Sequence, residues 1–141
     1  GALLAGGSLD SFVVKLDADG DHVWSRRYGG TGQLEARAVV TDNADGVFVV
    51  GYLYEGSVDL GGGPLTSVAE SDAVVFKLDN AGSHVWSRRF GGLAAQLAYR
   101  VALDLSGNVL VGGSFLLAID LGGGPLSCVG SSDVFIAKLL N

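Results

Sequence analysis

At 141 residues the chain is 48% hydrophobic and 17% charged, which excludes disorder, and its single cysteine, Cys128, excludes a disulfide scaffold built within it. Twenty-three glycines with two prolines and no three-residue period exclude collagen, and a net charge of −6 argues against nucleic acid, which needs a basic face to release counterions. Mean hydropathy is +0.40, yet no apolar run approaches the roughly 18 residues of a membrane span, so apolar faces that want a partner are expected instead.

Gly1 to Leu9 lacks the basic start and long apolar run of a signal peptide, and without methionine the chain reads as a mature, trimmed or engineered piece. Phe12-Val13-Val14 belongs to a first strand that ends near Lys15, Asp17-Ala18-Asp19-Gly20-Asp21 signals a turn, and His22 to Tyr28 reads as a second strand. Four runs then follow as strands: Ala36 to Thr41, Val47 to Tyr54, Ala73 to Leu78 and His84 to Phe90. The signals Asp42-Asn43-Ala44-Asp45-Gly46 and Asp79-Asn80-Ala81-Gly82-Ser83 mark turns, so the spacing predicts a four-stranded antiparallel meander. Two long connections, Glu55 to Ser71 and Leu117 to Ser132, carry Gly61-Gly62-Gly63-Pro64 and Gly122-Gly123-Gly124-Pro125. These are turns and not phosphate cradles, because no Lys and Ser or Thr opening a helix follow them.

The chain repeats itself. At a shift of 62, His22-Val23-Trp24-Ser25-Arg26-Arg27 superposes on His84-Val85-Trp86-Ser87-Arg88-Arg89, each followed by an aromatic residue and Gly-Gly. At 61, Asp59 to Leu65 matches Asp120 to Leu126, and Asp133 to Leu139 is a third, partial copy. The register of the first strand against its copy, between Gln33 and Asp42 and between Gln96 and Asp104, is left open by one residue. Runs such as Phe12-Val13-Val14 and Val47-Phe48-Val49-Val50 are apolar on both faces, so both faces must be covered. Sheets stacked around an axis meet that demand, which makes a β-propeller of four-stranded blades the expected fold, with a two-sheet sandwich as the alternative.

Asp104-Leu105-Ser106-Gly107-Asn108-Val109-Leu110-Val111-Gly112-Gly113 resembles the hallmark of the bacterial β-propeller repeat called SBBP: a strand ending in Asp, a Ser-Gly-Asn turn, and an apolar strand ending in Gly. Asp42 to Val47 departs from it, with Ala-Asp-Gly in place of Ser-Gly-Asn, and the Trp-Ser-Arg-Arg-aromatic-Gly-Gly segment is similar to the stretch that precedes the hallmark. The resemblance implies an all-β propeller with an extracellular or cell-surface setting and no assigned activity. By analogy with propellers, the hallmark hairpin forms the two inner strands, and about two blades per chain are expected: a partial blade over 1–30 (strands three and four), a complete one over 31–92, and a partial one over 93–141 (strands one to three). About two blades cannot close a ring, so a cyclic head-to-tail homo-oligomer is expected, a trimer first and a tetramer next.

Candidate chemistry is sparse, and no cofactor or catalytic residue is expected. Asp17, Asp19 and Asp21 form a weak calcium candidate, weighed against an acidic hairpin turn. His22 and His84 stand one per unit without Cys nearby and read as strand residues, and no Gly-x-Ser-x-Gly elbow supports hydrolysis. Lys15, Lys77 and Lys138 are equivalent, preceded by Asp10, Asp72 and Asp133, and are expected to pair with acidic residues and set register. The alternative is a lysine ring for an anion. Trp24 and Trp86 share a face with Arg26 and Arg88 and are expected to pack between blades. The expected function is a non-enzymatic scaffold. The alternative is a multivalent lectin-like propeller binding glycan at a rim that includes Glu55, Asp59, Glu70 and Asp120.

Overall fold

The computed structural model describes residues 3–6, 9–68 and 70–140. The chain ends of the first and last expected units, and part of the stretch read for a signal peptide, therefore lie outside the described residues. Thirteen strands follow one another: β1 (Ser11–Leu16), β2 (His22–Tyr28), β3 (Gln33–Thr41), β4 (Val47–Tyr54), β5 (Ser57–Asp59), β6 (Pro64–Thr66), β7 (Ser71–Leu78), β8 (His84–Phe90), β9 (Gln96–Leu103), β10 (Val109–Phe115), β11 (Ala118–Asp120), β12 (Pro125–Ser127) and β13 (Asp133–Leu139). Among the described residues there is no helix, and so none long and apolar enough to cross a membrane.

The three principal sheets are antiparallel. The first is the pair β1-β2, the central one runs β3-β4-β7-β8, and the third runs β9-β10-β13. Two small hairpins, β5-β6 and β11-β12, occupy the long connections. Their glycine turns are held by Asp59, whose Oδ1 accepts the N–H groups of Gly61 and Gly63 at 2.7 and 3.1 Å, and by Asp120, which does the same for Gly122 and Gly124.

The sheets stack face to face. Val47, Val49 and Leu53 of β4 with Val74, Phe76 and Leu78 of β7 pack against Trp24 and Tyr28 of the first sheet. From the opposite face, Phe48, Val50, Ala73 and Val75 pack against Val109, Val111, Phe115 and Phe135 of the third. This is why Val47-Phe48-Val49-Val50 shows no polar alternation: successive side chains enter two different cores, and residues 47–53 are all buried. Each fully buried Val, Leu or Phe contributes about 1.5–3 kcal/mol relative to exposure. Val58 and Leu60 complete the first core and Ile119 the second, so the long connections are partly core.

The register left open by the sequence closes at a uniform shift of 62, with Leu34 opposite Leu53 as Gln96 is opposite Phe115. The one-residue difference falls in the following turn, where Glu55-Gly56 is matched by Leu117 alone, all three with positive φ. Each first strand carries a β-bulge, skipping Arg37 between Ala36 and Ala38, and Tyr99 between Ala98 and Arg100. Opposite them, a Cβ on Gly51 or Gly113 would sit 2.0 Å from the carbonyl oxygen of Glu35 or Leu97, so only glycine fits.

Candidate functional site

Among the described residues β1 is paired on one side only. In the larger sheets, its counterpart β7 is flanked by β4 and its counterpart β13 by β10, whereas the equivalent edge of β1 is open. Along that edge runs a groove of about 610 Å³, walled by Val13 and Lys15 and floored by Ala36, Val47 and Val49 of the central sheet, with Asp45 at one end. On the other face of β1, Val14 and Leu16 are 46% and 54% exposed, although their counterparts in β7, Phe76 and Leu78, are buried. An unpaired backbone edge beside a trough with an apolar floor is the geometry of β-strand addition.

The three lysines sit at the end of the third strand of each sheet. Lys77 meets Asp42 at 3.3 Å and Lys138 meets Asp104 at 2.7 Å, each carboxylate lying where the first strand of the same sheet turns into the second. Lys77 also lies over the Phe48 ring, 4.7 Å from its centroid. Lys15, whose sheet has only two strands, reaches instead to Asp45 at 3.4 Å and donates to Asn80, both of the central sheet. Burial alone would raise Asp42, but the N–H groups of Gly46 and Ala44 and the Lys77 ammonium outweigh it and hold its carboxyl below the usual range. Lys138, with the Asn108 side chain and the N–H groups of Asn108 and Ser106, holds Asp104 far below that range.

The two arginines of each Arg-Arg pair part company. The second one pairs with the aspartate that precedes or opens the third strand: Arg27 with Asp10 at 3.5 Å, and Arg89 with Asp72 at 2.6 Å. Both carboxylates are fully buried. The first one works with tryptophan. Trp24 Nε1 donates to the Asn80 carbonyl at 2.8 Å, while Arg26, lying against the indole, donates to the carbonyls of Gly82 at 3.1 Å and Ala81 at 2.9 Å. Trp24 and Arg26 thus clasp the β7–β8 turn of the next sheet. Trp86 packs edge-on to Phe48, and neither its Nε1 nor Arg88 has a hydrogen-bond partner among the described residues.

The acidic turn is self-contained: Asp17 Oδ1 accepts the N–H groups of Asp19 at 3.0 Å and Asp21 at 2.8 Å, as Asp79 does for Ala81 and Ser83. Among the described residues no group of three His, Cys, Asp or Glu converges as a metal site would. Of the rim candidates, Asp59 and Asp120 are spent on their turns, Glu55 sits exposed in a tight turn, and Glu70 is exposed. His84 Nε2 meets Ser87 at 3.1 Å beneath Gly61 and Gly62, and His22 is exposed.

A cluster not picked out from the sequence surrounds the bulges. Arg37 lies over Tyr52 and Tyr99 at 5.4 and 5.9 Å, Tyr52 meets Tyr54 and Tyr99 edge-on, and Glu35 pairs with Arg37 at 2.6 Å. Burial and the Tyr54 hydroxyl push the Tyr52 phenol well above its ordinary pKa. Ladder pairing sets Glu35 beside Tyr52, and the bulges bring in Arg37 and Tyr99, which strand alternation alone would not place there.

Residues 85–114 match the family model of the SBBP beta-propeller repeat. An uncharacterized WD repeat-containing protein of Acanthamoeba polyphaga mimivirus is 25% identical over 120 residues, which cover 80% of this chain and 9% of that protein. The chain thus spans under a tenth of the length of that relative.

Proposed function

We propose that the chain is a propeller-type interaction scaffold without enzymatic activity, completed head to tail by further copies of itself. The repeat match and the WD-repeat relative support a propeller interaction module. The observation that carries the assembly is the open edge of β1 with its groove. In this reading residues 31–92 form a whole blade, while 1–30 and 93–141 are the outer and inner parts of a blade shared between neighbours.

At the junction, β1-β2 of one copy joins β9-β10 of the next, taking the place of β13. The exchange is matched residue by residue: β13 turns Phe135, Ala137 and Leu139 into the second core, and β1 offers Phe12, Val14 and Leu16 at the equivalent positions. The ladder to β10 is kept, the exposed apolar face of β1 is buried, and an outer strand is gained, so the balance favours association. Because the interface is heterologous, it closes into a ring only at a suitable rotation per subunit. Three copies, giving six blades, are favoured, then four.

Hydrogen exchange tests the junction. Alternate amides of β1 become protected as protein concentration rises while β13 loses protection. Unprotected β1 amides at every concentration contradict the exchange.

The lectin-like reading has one supporting observation, the Arg37, Tyr52, Tyr54 and Tyr99 cluster, since aromatic rings and guanidinium groups suit sugar recognition. Glycan-array binding that falls with Arg37→Ala supports it, and a blank array removes it.

A further inference from the structure

We propose that Trp86 and Arg88 form a docking shelf for a β-turn, and that its occupant is the Asp17–Asp21 turn of a second copy. The inference rests on the assembly proposed above and names a contact which that assembly alone does not require.

The working copy of the shelf is within the chain. Trp24 and Arg26 capture three successive carbonyls, those of Asn80, Ala81 and Gly82, and Gly82, at φ 75°, lies so close that a Cβ on it would fall 2.9 Å from the indole. Trp86 and Arg88 occupy the same places on the same strand pattern one repeat later, with their donors unpaired among the described residues. The N–H of a half-buried indole and an exposed guanidinium in this arrangement favour a partner that presents carbonyl oxygens.

The Asp17–Asp21 turn has the required form. Its bonds reproduce those of the captured turn: Asp17 N–H to Asp21 carbonyl at 2.9 Å and Gly20 N–H to Asp17 carbonyl at 3.1 Å, against Asp79 to Ser83 at 2.9 Å and Gly82 to Asp79 at 3.0 Å. Gly20 has the same sign of φ, 87°, with open space where its counterpart meets an indole. The carbonyls of Ala18, Asp19 and Gly20 take the places of Asn80, Ala81 and Gly82. Charge adds selectivity, because among the described residues Asp17, Asp19 and Asp21 are exposed and face no arginine, whereas Arg88 is exposed and faces no carboxylate. The similar Asp104–Asn108 turn is tied to Lys138 of its own sheet.

Two readouts on the whole chain test the contact. In amide and indole N–H correlation spectra, the Trp86 indole signal shifts with protein concentration while that of Trp24, already bonded, stays in place. In sedimentation velocity, Arg88→Glu and Asp19→Lys each weaken association by about tenfold, and the two together recover most of it. Association that persists with a stationary Trp86 signal and an unaffected Arg88→Glu variant overturns this contact and leaves the scaffold reading standing. A chain that stays monomeric throughout removes the scaffold reading and this contact with it.

Discussion

Arg89 closes on the fully buried carboxylate of Asp72 at 2.6 Å, whereas Arg27 approaches the equally buried Asp10 only to 3.5 Å. Asp72 Oδ2 also accepts the Val68 N–H at 2.9 Å, which ties the connection ahead of β7 to the start of that strand. In the third copy Asp133 accepts the Val129 N–H in the same way, and no ion pair reaches it among the described residues.

Removing the arginine leaves a buried charge unpaired, so Arg89→Ala destabilises the fold by about 3 kcal/mol, and Arg27→Ala, a longer and more exposed pair, by about 1 kcal/mol. Urea unfolding of the two variants checks the order, and equal losses contradict it.

The central sheet depends on side chains that enter both cores. Phe76→Ala in the first core and Phe48→Ala in the second each cost about 3–5 kcal/mol, since both are at most 1% exposed. Val85→Ala, on an exposed position of β8, changes stability by less than about 0.5 kcal/mol. Thermal unfolding of the three variants separates the outcomes.

Acid weakens the lysine ties in a definite direction. Asp42 and Asp104 are held below their unfolded value of about 3.9, so the stability they contribute is present above that pH and is lost as pH falls through the folded value. Lys138→Ala lifts the folded pKa of Asp104 toward its unfolded value, so the acid loss becomes smaller and is complete at a higher pH. Melting temperatures across pH 2 to 6 show this, and parallel profiles for wild type and variant contradict it.

Cys128 is a sluggish thiol, since burial first and Asp133 second raise its pKa. Alkylation at pH 8 is slower than for a free thiol, and Asp133→Asn speeds it several-fold. Equal rates for the two proteins remove Asp133 as a cause.

Most of the sheet order was legible because glycine and aspartate punctuate the strands and the repeat supplies each reading twice. The apolar run of β4 correctly implied two covered faces, whereas Phe12-Val13-Val14 of β1, read the same way, leaves Val14 46% exposed. The strands β5, β6, β11 and β12 escaped notice because three residues each are too short for a period. Identical Arg-Arg pairs gave no hint that one arginine enters a buried ion pair while its neighbour clasps a turn. Alternation places the two arginines on opposite faces, but what each face meets lies outside any local pattern.

Native mass spectrometry of the intact chain tests the central claim most directly. A cyclic assembly predicts a discrete, concentration-dependent species at three times the mass of the chain, or four times. A monomer that persists into the hundreds of micromolar contradicts it.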